Sequence, residues 1–388
     1  MSGLNSVLMA ADPRPAAHLT VRDRLLAWRD RLQTSAAFRR WAAAFPLTRP
    51  IARRRARALF DLCAGFVYTQ VLLSCVRLRL FDRLLDGPRT VAELAGEIGL
   101  SPDATLRLLD AAVSLDLLAR RGAGRYALGS LGCAMIDNPG VSAMVEHHAA
   151  LYADLRDPVA LLRGERPGAL SGYWPYAETD CPDSLAQDQT DAYTRLMSAS
   201  QSFIAEEVLA VYDFRRHRCL LDVGGGDGSF LSHVARQAPA LHLKLLDLPP
   251  VAARAAERFA ASGLAGRTET IGGDAIAGVW PNGADVVSFI RVLHDHNDDA
   301  VLAMLRAARN ALPADGTLLI AEPMSGTPGA ERIGDAYFGF YFLAMGQGRS
   351  RTAAELEALL TQAGFGGFQR IPTHVPMLVR VLKANPRA

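Results

Sequence analysis

The run LLDVGGGDGSF, Leu220 to Phe230, carries an apolar strand into a helix through three consecutive glycines. Glycine lets a backbone approach a ligand where a Cβ would collide. The turn departs from the dinucleotide fingerprint: if Gly224 and Gly226 are its first two glycines, Ser229 stands where the third small residue belongs, and Gly225 lies between them. Asp222, inside the strand end, would repel a pyrophosphate and welcome an ammonium or a sulfonium instead. Asp247 closes a second strand at a distance suited to gripping a ribose diol, with Leu248 beside it. Gly273 and Asp274 follow a third strand, where a short acid can accept from an adenine amine. Three carboxylates at successive strand ends, without a Walker lysine, point to S-adenosylmethionine as cofactor.

A fourth strand runs out into FIRVLHDHNDD, Phe289 to Asp299. His294 falls just beyond its carboxyl end, where an open α/β sheet places its ligand crevice. An imidazole there is suited to take a proton from an attacking hydroxyl near neutral pH. Arg291 belongs with the cofactor contacts, and Asp295 with the base. The cluster His294, Asp295, His296, Asp298 and Asp299 also resembles a metal-ligand set, but adjacent residues alternate direction and the acidic pair suits a helix N-terminus. No metal is expected.

These residues need a sheet to hold them. Apolar strands at 219–223, 242–248, 267–271, 285–290, 317–322, 368–371 and 377–382 alternate with helices, which implies an α/β, doubly wound, Rossmann-like parallel sheet. Upstream, residues 20–58 read as helical pieces broken at Pro46 and Pro50, and Leu59 to Leu85 as one long apolar helix to be buried, against another subunit or within the fold. Thr90 with Glu93 forms a capping box, Ser101 caps a second helix whose buried side is Ala104, Leu106, Leu109 and Val113, and RRGAGRYAL, Arg120 to Leu128, makes a small hairpin: a winged-helix pattern.

Composition narrows the function. The 388 residues carry 42 basic and 40 acidic side chains, which excludes a uniformly basic nucleic-acid coat and an acidic disordered chain. Residues 1–58 hold twelve arginines against three aspartates, a net of +9, so a basic arm precedes a mildly acidic body. A ligand-responsive DNA-binding regulator is one reading of the winged helix. Against it, the second helix and its end carry Asp103, Asp110 and Asp116 against Arg107 alone, the wrong sign for phosphate, and no nucleic-acid partner is expected. The apolar stretch Leu62–Val76 is shorter than the about 20 residues of a spanning helix. With no signal-peptide pattern and five scattered cysteines, the expectation is a soluble, cytoplasmic chain with reduced thiols.

Over nearly its whole length the chain resembles the plant- and bacterial-type small-molecule O-methyltransferases, on the motifs DVGGGDG, LLDLP, GGD, RVLHDHND and LLIAEP. The resemblance implies a mainly helical, winged-helix-like dimerisation domain followed by a Rossmann-like S-adenosylmethionine domain, in a homodimer. It divides the chain into a basic helical arm (1–58), a dimerisation domain (59–135), a helical linker and substrate-lining segment (136–215) and the cofactor domain (216–388). Within the family, Phe38 to Asp82 is similar to the acyclic-carotenoid methyltransferases of purple photosynthetic bacteria, which methylate a tertiary hydroxyl of substrates such as demethylspheroidene and hydroxyneurosporene. An aromatic or polyketide hydroxyl is the alternative substrate.

Carried over by position, His294 corresponds to the general base and Glu322 to the first of two glutamates that orient it. The second glutamate falls near Ser350 and is absent, so Asp295 or Arg291 is left to take over part of its role. Tyr193, Met197 and Ser200 match substrate-facing positions, and Phe338, Phe342 and Met345 are further candidates for an apolar tunnel, or core residues at helical spacing. A hydroxylated acyclic carotenoid would reside in a membrane. The basic arm, with Arg49, Arg53, Arg54, Arg55 and Arg57, reads either as a peripheral contact with an anionic, intracytoplasmic membrane or as a solvated helix face.

Overall fold

A computed structural model describes residues 20–165, 168–171 and 201–387. The chain divides into two compact units, Met1–Val71 and Leu72–Ala388. In the first, Thr20 and Asp23 close a capping box at the start of the helix Val21–Thr34, and Ser35 caps the helix Ala36–Ala44. That helix ends at Phe45, just before Pro46, as expected. Pro50 does not break a helix: it sits in the first turn of the helix Arg49–Arg77, where its missing N–H costs nothing.

This third helix also differs from the expected span of 59–85. It starts ten residues earlier and stops at Arg77, and Arg79 then adopts a left-handed conformation (φ 53°) that turns Leu80 and Phe81 into the core. Of its residues only Leu73 and Cys75 are buried, while Leu59, Phe60, Leu62 and Phe66 are exposed. At 29 residues, with a window of mean hydropathy 1.7, it is long and apolar enough to cross a membrane, which corrects the expectation drawn from Leu62–Val76 alone.

In the second unit, strands β1 (Arg89–Thr90), β2 (Leu118–Arg121) and β3 (Arg125–Leu128) form a small antiparallel sheet in the order β1-β3-β2. The Thr90–Glu93 box opens the helix Val91–Ile98, and Ser101 caps Pro102–Ser114. The buried stripe of the latter is Thr105, Leu109 and Ala112; Leu106 points outward, so the expected face was rotated by about one position. The stripe that wins is the one facing the helix Val91–Ile98 and β2.

The large sheet holds β4 (Cys219–Val223), β5 (His242–Asp247), β6 (Thr268–Gly272), β7 (Val286–Ile290), β8 (Thr317–Glu322), β9 (Phe365–Ile371) and β10 (Arg380–Pro386) in the order β6-β5-β4-β7-β8-β10-β9. The first five are parallel; β10 runs antiparallel to β8 and β9. β4, β7 and β8 are buried along their whole length. Leu221, Val223, Phe289 and Ile320 pack on one face against Met304, Leu305 and Leu360, and Leu220, Leu245, Val286 and Leu319 on the other against Phe230, Val234 and Phe259. Both faces are therefore dry, and every polar group at the carboxyl ends of the central strands has to find its partner within the protein or in a ligand.

Candidate active site

The strand ends bring the sequence-predicted acids together. Asp222 is fully buried at the end of β4, on the same face as Ser288 of β7, whose hydroxyl donates to its Oδ1 at 2.5 Å. Its Oδ2 has no partner among the described residues, and burial, with Asp247 adding repulsion, pushes the carboxyl up to about 7. Gly224 follows with φ +67°, its N–H donating to Leu246 O at 2.8 Å, and a Cβ there would meet Val292 at 2.7 Å. At Gly225 a Cβ would lie 2.9 Å from Asp222 Oδ2. A side chain at Gly225 would fill the space beside this orphan carboxylate oxygen, and one at Gly224 would collide with Val292.

Asp247, at the end of β5, accepts from Gly226 N–H (2.8 Å) and from Leu248 N–H (2.7 Å). It thereby links the glycine turn to the next strand, and burial pushes it up to about 6. Gly273 N–H donates to Asp247 O at 2.9 Å, which fixes the third strand end beside the second. Asp274 turns its Oδ1 to Ile276 N–H at 2.7 Å. Arg291 leaves β7 with φ +60°, unusual for a residue with a side chain, while its N–H donates to Ala321 O at 2.8 Å. That strain turns the chain out of the sheet and into the loop that carries His294.

His294 is 4% exposed. Its backbone N–H donates to Glu322 Oε2 at 3.1 Å, and its Nε2 stands 3.4 Å from Asp295 Oδ1. The ring lies against Phe338 (centroids 6.0 Å apart, stacked) and Phe342 (5.0 Å), and Nδ1 has no partner among the described residues. Burial first, then the nearby Arg291 and Arg351 charges, hold the imidazole well below its usual pKa, so it is neutral at physiological pH. Glu322 Oε1 is likewise buried without a partner among the described residues, and burial raises Glu322 to about 7 and Asp295 well above the carboxylate range. The first glutamate thus holds the backbone of His294 rather than a ring nitrogen.

Sequence reasoning missed what supports this loop. Arg351 is fully buried and donates to Leu293 O (2.8 Å), His296 O (2.7 Å) and Asp298 Oδ1 (2.7 Å). Arg349 N–H donates to His294 O at 2.9 Å, while its guanidinium meets Asp298 and Glu355. At Gly348 (φ +81°) a Cβ would meet His294 O at 2.4 Å. Two arginines flanking Ser350 thus bind the loop by its carbonyls, where the resemblance had only pointed to a missing glutamate. Asp298 serves this clamp at the first turn of the helix Asp298–Ala311. Also unforeseen are His147 and His148 of the helix Pro139–Asp154, bonded to Tyr341 Oη (3.0 Å) and Tyr337 Oη (2.8 Å) beside the aromatic wall. The tandem histidines were visible in sequence; their tyrosine partners, about 190 positions away, were not.

Of the substrate-side candidates, Phe338 and Phe342 face His294, and Phe342 and Met345 both belong to a buried apolar cluster with Leu151, Leu161 and Leu170. Tyr193, Met197 and Ser200 lie outside the described residues.

Known proteins match this chain in sequence and in fold. An O-methyltransferase domain is matched by residues 152–366 and an O-methyltransferase dimerisation domain by residues 60–137. The chain belongs to this family and is an S-adenosylmethionine-dependent O-methyltransferase; the dimerisation domain supports a homodimer. Among its relatives, the demethylspheroidene O-methyltransferase of Cereibacter sphaeroides is 42% identical over 91% of this chain and 93% of its own. The enzyme of the same name from Rhodobacter capsulatus is 39% identical over 88% and 84%. Among solved structures, a methyltransferase of calicheamicin biosynthesis with SAH bound aligns at TM-score 0.72 with 29% identity, covering 86% of this chain and 98% of that one. The orphan Oδ2 of Asp222, the side-chain-free turn in front of it and the two further strand-end acids fit a cationic adenosyl cofactor.

Proposed function

We propose that this enzyme methylates the tertiary 1-hydroxyl of an acyclic carotenoid of the demethylspheroidene or hydroxyneurosporene type, with His294 as general base, in spheroidene-type carotenoid biosynthesis. The observation that carries this reading is a neutral, buried imidazole whose Nδ1 has no partner among the described residues, walled by Phe338 and Phe342 at the carboxyl end of β7. The names of the two relatives above support the substrate.

In this reading Asp222 takes the positive end of S-adenosylmethionine, Asp247 the ribose diol, Asp274 the adenine amine, and the backbone from Gly224 to Gly226 the close approach, with Leu248, Gly273 and Arg291 around them. Bound there, the cofactor supplies an electrophilic methyl group on a cationic sulfur. The chain supplies position and a proton acceptor. In a neutral imidazole one nitrogen donates and the other accepts, so Nε2–H turned to Asp295 leaves the Nδ1 lone pair for the substrate O–H. A tertiary alcohol gives up its proton reluctantly, so proton transfer to Nδ1 accompanies attack rather than preceding it. Asp295 then faces the imidazolium, Glu322 holds its backbone, and the phenylalanine rings keep water from competing.

Methyl-labelled S-adenosylmethionine offered with a mixed panel of 1-hydroxy acyclic carotenoids and simple phenols tests the assignment. Label in a carotenoid methoxy product is the expected result; label confined to phenols would keep the enzyme class and discard the substrate.

A further inference from the structure

The N-terminal unit is built unlike a solvated arm. At about 3.6 residues per turn, Val21, Leu25, Trp28 and Leu32 form one stripe along the helix Val21–Thr34. Arg22 and Arg29 border that stripe on one side and Arg24 and Arg31 on the other, whereas Asp23 and Asp30 fall on the opposite face. The stripe is open: Val21 is 74% exposed, and Leu25 and Trp28 are each 63% exposed. The next helix carries an aromatic row. Phe38, Trp41 and Phe45 follow one another with ring centroids 5.6 and 5.1 Å apart, the first pair tilted and the second stacked, and Arg39 and Arg40 stand on the other side.

Charge says what covers these faces. Of the eleven arginines between residues 20 and 58, only Arg29 meets a carboxylate among the described residues, that of its neighbour Asp30. A water-facing helix spaces opposite charges to pair with one another, and a protein core excludes unpaired arginines. An apolar stripe with tryptophan, flanked on both edges by arginine, suits the boundary between lipid headgroups and acyl chains. The matched dimerisation domain begins only at residue 60, so these two helices lie outside the segment that the family uses for pairing.

We infer that residues 21–57 are a peripheral docking surface for an anionic lipid bilayer. Val21, Leu25, Trp28 and the Phe38–Trp41–Phe45 row enter the headgroup boundary, and the flanking arginines meet lipid phosphates. The inference goes beyond the proposed reaction: a membrane-dissolved substrate gives the surface a purpose, but the surface is read from its own residues.

Its test is sedimentation of the full-length protein with phosphatidylcholine vesicles, neat or mixed equally with phosphatidylglycerol, followed without turnover. The protein is expected to sediment with the mixed vesicles, to stay in solution with neat ones, and to be released by high salt. Reversing Arg22, Arg24, Arg29 and Arg31 to glutamate is expected to weaken partitioning on the order of a hundredfold or more, at about fivefold per arginine. Trp28→Ser with Trp41→Ser is expected to weaken it while leaving the charge intact. Circular dichroism checks that each variant folds, and bromine-labelled acyl chains should quench tryptophan emission in the native chain but not in the double tryptophan variant. No sedimentation of the native protein would overturn the inference, as would equal binding by folded charge-reversed protein. A shift of the double tryptophan variant from dimer to monomer, without vesicle binding by the native chain, would assign the face to a second copy instead. Because no methyl transfer is measured, failure here leaves the reaction untouched, and failure of the reaction leaves this result standing.

Discussion

His294, Asp222, Asp247 and Asp274 each end, or follow, a short apolar strand. A parallel sheet gathers such ends at one edge, so these four positions could be read from sequence. Their environment could not, because it depends on which oxygen finds a donor once both faces of the sheet are covered. Asp222 shows the consequence. Burial pushes it up to about 7 and Asp247 to about 6, so both are partly protonated in mildly acidic solution. A cationic ligand prefers the ionised forms, and its binding should strengthen as pH rises through these values. Calorimetric affinity for S-adenosylmethionine is expected to increase about tenfold between about pH 6 and about pH 8. In Asp222→Asn the dependence should shrink, and an unchanged profile would place the titrating group elsewhere.

At the scale of elements, the sequence showed the loop Leu293–Asp298 but not what grips it. Arg349 and Arg351 lie more than fifty positions downstream, and GRSRTAAEL reads as the capped start of a helix, which it also is through Thr352 and Glu355. The same blindness to distant partners hid the His147–Tyr341 and His148–Tyr337 bonds. Local chemistry, by contrast, was legible: the Thr90–Glu93 box and the Ser101 cap are in place. The clamp makes Arg351 a positioning residue. Arg351→Met would take the donor from the His296 carbonyl and one of the donors from both Leu293 O and Asp298, at a cost of about 3 kcal/mol in unfolding free energy. Arg351→Lys keeps the charge but not the fork that reaches all three acceptors. Lysine is expected to restore much of the stability, with turnover still about tenfold down and cofactor affinity unchanged. Urea titration and steady-state kinetics read the two effects separately.

For the whole molecule, the exposed row Leu59, Leu62 and Phe66 on the helix Arg49–Arg77 is too apolar to face water. It overlaps the start of the matched dimerisation domain at residue 60, so a second copy is its expected cover. Phe66→Glu, alone or with Leu62→Glu, should turn a dimer into a monomer in light scattering; an unchanged dimer would move the interface elsewhere. The sequence foresaw an apolar helix here but set its start ten residues late, because Pro50 reads as a breaker unless it falls within a first turn.

The central claim is that His294 takes the substrate proton from a buried, neutral state. The most direct measurement compares native enzyme with His294→Ala, giving each methyl-labelled S-adenosylmethionine and a 1-hydroxy acyclic carotenoid, after calorimetry has shown that both bind the cofactor equally. Label is expected in the native carotenoid methoxy product, with a loss of about a hundredfold or more in the variant. Turnover by His294→Ala at the native rate, with cofactor binding intact, would contradict it.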